Sequence, residues 1–127
     1  MRKPKPVLTG HELEIMQVVW RHPSVTVRDV YEELLQRRKI AYTSVMTMMG
    51  ILERKGYLRK KRGEKAHVYR PTHPKSRVLR SLVNDFVGRV FNGSAKPLLV
   101  HLLENEQLSQ EELEEIDNLM RERRKQP

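Results

Sequence analysis

The side chains able to do chemistry in this chain are arranged for recognition rather than reaction. Its histidines, at positions 11, 22, 67, 73 and 101, fall in separate stretches, with neither a phosphate-cradling glycine loop nor a nucleophile motif beside them. His101 and Glu104 are spaced to share one helical face, but two ligands are too few for a metal centre, and polar residues at the surface or core edge of an amphipathic helix account for the pair. The absence of cysteine excludes thiolate metal sites and disulfides. No catalytic residue, metal or cofactor is expected. Residues 41–56, AYTSVMTMMGILERKG, are different in kind. Val45, Met48, Met49 and Leu52 recur at spacings of three and four, so one side of a helix can face a core. The other side carries Thr43, Ser44, Met46, Thr47 and Gly50, all short or uncharged where a merely solvated helix would carry Lys and Glu. Hydroxyls there can hydrogen-bond base edges, and Met46 can touch a thymine methyl. Such a face can enter a DNA groove closely.

Charge supports the same partner. Residues 1–76 hold 17 Lys and Arg against 7 Asp and Glu, a net of +10, whereas residues 77–127 hold 8 against 9, a net of −1. This asymmetry is the footprint of a nucleic-acid-binding half joined to a half with another task. Arg28, Lys60, Lys61, Arg62 and Lys65 are the candidate phosphate contacts, which fix register without reading sequence. A basic, proline-broken stretch, Arg2-Lys3-Pro4-Lys5-Pro6, precedes them. No run is apolar enough to span a membrane and the start lacks a signal-peptide core, so a cytoplasmic protein without stable membrane association is expected.

The elements that must position these residues are marked in the sequence. Thr9 and Glu12 form a capping box ahead of a helix with Leu13, Met16, Val19 and Trp20 on one face. Val25 suits a single short strand, and Thr26 with Asp29 starts a second helix carrying Val27, Val30, Tyr31, Leu34 and Leu35. The helix of residues 41–56 follows a compact turn, with Thr43 as its expected N-cap and Gly56 as its stop. Residues 57–71 read as a basic hairpin with Gly63 at its tip and Pro71 at its end. Two helices, a tight turn and a basic hairpin make a winged helix-turn-helix over residues 1–74, with Thr72-His73-Pro74 as the hinge.

Residues 75–127 predict three helices, giving a mainly α fold with one small β-hairpin. Val78, Leu79, Leu82, Val83, Phe86, Val87, Val90 and Phe91 line the first helix, which Asn92-Gly93-Ser94 stops. Leu98, Leu99, Val100, Leu102 and Leu103 follow on a helix opening near Pro97. Ser109 and Glu112 cap the last, with Leu108 and Leu113 as a staple and Leu113, Ile116, Leu119 and Met120 apolar. Some fifty residues cannot enclose that much apolar surface alone. A symmetric homodimer is therefore expected, with Phe86, Val87, Val90, Phe91, Leu98, Leu99, Leu102, Leu103, Leu113, Ile116 and Leu119 at its interface; the alternative is that these helices pack back on the first half. A dimer is also what a helix-turn-helix needs to read two half-sites.

Together these residues resemble the BlaI/MecI family of penicillinase repressors over nearly the whole chain. The likeness runs through Leu8-Thr9-x-x-Glu12-x-x-x-Met16 with Val18-Val19-Trp20, then Tyr42 to Leu58, including Leu52-Glu53-Arg54-Lys55-Gly56-Tyr57-Leu58. It continues in Val68-Tyr69-Arg70-Pro71, Val90-Phe91-Asn92-Gly93-Ser94 and Leu108-Ser109-x-x-Glu112-Leu113. The resemblance implies a winged-helix domain, an interleaved helical dimer, and repression by occupying a palindromic operator in double-stranded DNA until a signal relieves it. It further implies, from the best-known members, a membrane sensor-protease as partner, with β-lactam-linked proteolytic derepression. The chain departs from that pattern at three places. Having no cysteine, it lacks the thiolate site of the copper-responsive branch. His101-Leu102 stands where the β-lactam branch has a scissile Asn-Phe pair, and Gly50-Ile51 where a larger residue followed by arginine is expected. The competing expectation from charge alone is a non-specific or architectural nucleic-acid-binding protein.

Overall fold

The computed structural model describes residues 8–126; the basic stretch at positions 2–6 lies outside them. Six helices and a hairpin follow in order: α1 (Gly10–Val19), α2 (Val27–Leu35), α3 (Tyr42–Lys55), β1 (Leu58–Arg62), β2 (His67–Pro71), α4 (Lys75–Val90), α5 (Lys96–Glu104) and α6 (Gln110–Lys125). The described chain forms two compact units that divide between Val83 and Asn84.

In the first unit the caps act as their sequence predicts. Thr9 Oγ1 accepts from Glu12 N–H at 3.1 Å while Glu12 accepts from Thr9 N–H at 2.8 Å. Thr26 and Asp29 do the same for α2. Each such cap contributes about 1 kcal/mol by satisfying donors that the helix cannot. Gly56 ends α3 at φ 93°, a left-handed conformation that a side chain would strain. Tyr57 N–H then turns back to the Leu52 carbonyl at 2.9 Å, which sends Tyr57 and Leu58 into the core.

That core joins Ile15, Met16, Val18 and Val19 of α1 to Val30 and Leu34 of α2 and Val45, Met49 and Leu52 of α3. Because α1 packs against α2, α3 and β2, it buries Ile15 and Val18 beyond the single face expected of it. Val25, in the connection between α1 and α2, makes an isolated bridge to Tyr69 with bonds of 3.0 and 2.7 Å, which adds a backbone tie to the packing of the hairpin on the helices. β1 and β2 are antiparallel, with Leu58 opposite Pro71 and Arg62 opposite His67. At the tip a Cβ on Gly63 would stand 2.4 Å from the Ala66 carbonyl oxygen, so only glycine closes this turn without a shift.

The segment expected to be a hinge is pinned instead. Thr72 donates through its hydroxyl to the Gly56 carbonyl at 2.6 Å, and Trp20 Nε1 donates to the His73 carbonyl at 3.3 Å. His73 is buried, and Val78 and Leu82 of α4 belong to the same core. The unit division at Val83 is therefore later than the 74/75 boundary read from Pro74, because the first turns of α4 supply apolar side chains to the first unit.

The second unit contains the end of α4 with α5 and α6. Phe86 and Phe91 meet edge-to-face with centroids 5.8 Å apart. Pro97 sits in the first turn of α5. Ser109 and Glu112 form the predicted capping box of α6, and Leu108 and Leu113 beside it are both half-buried. Neither α5 nor α6 buries any residue fully.

Candidate nucleic-acid interface

α3 presents the face that its sequence predicts. Val45, Met49 and Leu52 are wholly buried, Met48 packs against the core, and Thr43, Ser44, Met46 and Thr47 are exposed. Met46 is an apolar side chain 47% exposed, held there by a helix whose opposite side is locked inward. One expectation fails at the helix start. The N-cap is Ala41, extended at φ −86° and ψ 142°, with no side-chain hydrogen bond. The helix begins at Tyr42, so Thr43 falls inside the first turn, past the cap position. The cap of α3 is thus unlike those of α1, α2 and α6, and no acidic residue stands in its first turn. The early N–H groups and the positive end of the helix are left without a protein anion.

Beside this end lies an open groove of about 600 Å³ lined by His11, Arg38, Lys39, Thr43, Ser44 and Thr47 among others. Arg38 is already engaged there: its guanidinium donates to Glu14 at 2.8 Å and lies 3.1 Å from His11 Nδ1. That bond from Arg38 holds the Glu14 carboxyl below the usual carboxylate range. The pair ties the α2–α3 turn to α1. Glu12 is similarly used. Burial pushes its pKa up, but the bonds from Lys55 Nζ at 2.7 Å and from Thr9 outweigh that and leave it lowered. Arg38 and Lys55 therefore fix the attitude of α3.

The nominated phosphate contacts divide into groups. Arg28 lies 3.4 Å from Glu32 and 5.8 Å from the Tyr42 ring centroid, and Tyr42 in turn packs edge-on against Tyr31. Lys60 lies 3.9 Å from Glu53 of α3. Lys61, Arg62 and Lys65 are exposed, and among the described residues none has an ion pair. Register separates them further. Lys60 and Arg62 stand opposite Tyr69 and His67, whereas Lys61 stands opposite Val68 and so points to the other face of the ribbon.

Three cations escaped the sequence reading. Arg59 and Arg70 face each other across the strands and line one small hollow with Lys61. Like charges directly opposite are unfavourable in a sheet, so this ribbon face is held at a cost. Alternation along both strands was the signal that would have grouped them. Arg54, exposed near the end of α3, is the third.

The second candidate surface lies in the second unit. Phe86 is 45%, Val90 57%, Leu99 40%, Leu103 47% and Leu119 68% exposed. Phe91, Leu98, Leu102, Leu113 and Ile116 are half-buried. Val87 differs: its own chain already buries it, which removes it from the uncovered set. Among the described residues no helix is long and apolar enough to cross a membrane, and no group of three or more metal-ligating side chains occurs.

Comparison with known proteins gives one consistent answer. The penicillinase repressor family model matches residues 8–122. The penicillinase repressor of Bacillus licheniformis is 31% identical over 120 residues, 94% of each chain. The transcriptional regulator BlaI of Mycobacterium tuberculosis is 36% identical over 95 residues, 73% of this chain and 69% of that one. Among solved structures, monomeric Bacillus licheniformis BlaI in complex with the blaP half-operator is similar at a TM-score of 0.51 and 30% identity, covering 60% of this chain and 92% of that one.

Proposed function

The chain belongs to the penicillinase repressor family as a DNA-binding transcriptional repressor, and we propose that it works as a homodimer on a palindromic operator, excluding polymerase until a signal weakens the dimer or its grip. The observation that carries this reading is the α3 surface: an N-terminus without a side-chain cap, and an uncharged face of the hydroxyls of Thr43, Ser44 and Thr47 with the apolar Met46. That chemistry suits base edges in a major groove better than it suits water. The wing cations supply grip on phosphate, which positions the helix without choosing the sequence. A non-specific or architectural role is not favoured, since the relatives are repressors and one of them is bound to a half-operator.

The apolar side chains left uncovered on α4, α5 and α6 support the dimer, because a second copy offers the same surface to bury them symmetrically. Derepression through a membrane sensor-protease is the finer part of the proposal. His101-Leu102 lies within α5, where Asn105 Nδ2 donates to the His101 carbonyl at 2.8 Å, so a protease cutting there must first unwind the last turns of that helix. The cytoplasm is the compartment this function requires.

The test is a titration of the purified protein on its own upstream promoter fragment against scrambled DNA of equal length, with mass measured in parallel. A preference of about a thousandfold or more, with two chains per site, is expected. Equal binding to both fragments, repeated across a genome-wide footprint without enriched sites, overturns the repressor reading.

A further inference from the structure

Resting on the repressor reading, we propose that Arg54 is a specificity-determining residue: its guanidinium, seated over Gly50, reads a guanine next to the base contacted by Thr47. Thr43, Thr47, Gly50 and Arg54 are spaced by four, three and four residues, so they run along one side of α3. Side chains on a helix lean toward its N-terminus, and the Arg54 stem follows that direction back across the preceding turn. Gly50 leaves the room: a methyl group there would make ordinary contact with Arg54 Nη1 at 3.6 Å, so a larger side chain would compete with the guanidinium for that space. Glycine inside a helix is otherwise unfavourable, and beyond the helix's own backbone and its chain neighbours no other described atom comes within 4 Å of that position.

The arrangement carries the charged head of Arg54 to the level of Gly50, about 4.5 Å along the axis from Thr47 at the usual helical rise and comparable to one base step of about 3.4 Å. Arg54 is exposed, and among the described residues no carboxylate pairs with it, in contrast to Arg38, Lys55 and Lys60. An unpaired guanidinium beside hydroxyl-bearing residues offers two parallel N–H donors, which match O6 and N7 of guanine. An arginine that only complemented the helix C-terminus would affect stability and leave base preference untouched.

The experiment is selection from a pool of random-sequence DNA duplexes by the full-length protein and by Arg54→Ala, Arg54→Lys and Gly50→Leu, each checked by thermal melting. The wild type is expected to enrich a palindrome with a guanine at one position in each half. Arg54→Ala should lose that guanine alone, keep the other positions, and bind the wild-type sequence about tenfold to a hundredfold more weakly. Arg54→Lys should fail to restore it, because an ammonium cannot make the paired contact. Gly50→Leu should lose the same guanine, and adding it to Arg54→Ala should cost nothing further; if it does not fold, Arg54→Ala and Arg54→Lys decide. An unchanged guanine in the Arg54→Ala motif overturns the proposal. So does uniform weakening on all sequences that Arg54→Lys rescues, which would make Arg54 a phosphate contact. A wild-type protein that enriches no sequence at all overturns the repressor reading on which the proposal stands.

Discussion

Removing the two cations at the wing tip gives a prediction whose size can be worked out in advance. Arg62 and Lys65 flank the turn at Gly63, are exposed, and have no ion pair among the described residues. If each neutralises one phosphate, Arg62→Ala with Lys65→Ala removes two contacts per chain and four per dimer. Binding to duplex DNA follows salt with a logarithmic slope of about −0.9 per neutralised phosphate, so the slope should become shallower by about 3.6. Across a fourfold rise in salt that amounts to about 150-fold: the wild type should lose that much more affinity than the variant between 50 and 200 mM. Fluorescence anisotropy on operator duplexes over that range measures it. Lys60→Ala is the internal comparison, because Lys60 already lies 3.9 Å from Glu53 and its loss should change the slope less. A slope that stays the same in the tip variant would show that the wing does not touch phosphate.

Further outcomes follow from the same geometry. Replacing Phe86, which is exposed, and Leu102, which is half-buried, by glutamate should give a folded monomer with greatly weakened operator binding; a dimer in sedimentation that binds normally would misplace the interface. Thr47→Ala should reduce the preference for operator over random DNA more than it alters the salt slope, and equal loss on both duplexes would reassign Thr47 to positioning. Stability should fall with acid. Burial, then the Arg77 cation, lowers the His73 pKa below its ordinary value of 6.5, so the folded state favours the neutral ring and loses stability as pH drops through that value toward the folded one. Glu12 and Glu14 are also lowered, so their contribution is present above the ordinary carboxylate pKa of 4.5 and is lost as pH falls through their folded values. A Tm that stays constant between about pH 7 and pH 3 would contradict both linkages.

The features legible in the sequence are those decided by a few neighbouring residues. Thr9 with Glu12, Thr26 with Asp29, and Ser109 with Glu112 each cap the helix they precede, because both partners lie within one turn. Gly56 stops α3 for an equally local reason. The reading failed where the deciding partner is distant or silent. Ala41 caps α3 through backbone conformation alone, so the nearest hydroxyl, on Thr43, drew the assignment. The apolar period of α4 does not change where the helix passes from one unit to the next, and Pro74 was the only visible punctuation. Lys61 was grouped with Lys60 and Arg62 by sequence adjacency, although strand alternation turns it toward Arg59 and Arg70. Arg54 needed the empty place at Gly50, which only a three-dimensional turn of helix makes visible.

The cations of the first unit thus fall into two populations that answer to different variables. Arg38 and Lys55 spend their charge on Glu14 and Glu12, and the Lys55 pair sits where Glu12 is buried, so salt screens it weakly while acid dissolves it. Arg54, Lys61, Arg62 and Lys65 face water without ion pairs among the described residues. Contacts that Lys61, Arg62 and Lys65 make to DNA phosphate would work through counterion release and so be governed by salt. Rising salt should free the protein from DNA well before it unfolds, and falling pH should weaken the helix platform through Glu12, Glu14 and His73. Salt thus acts on the grip while sparing the fold, whereas acid acts on the grip only through the fold that holds α3 in place.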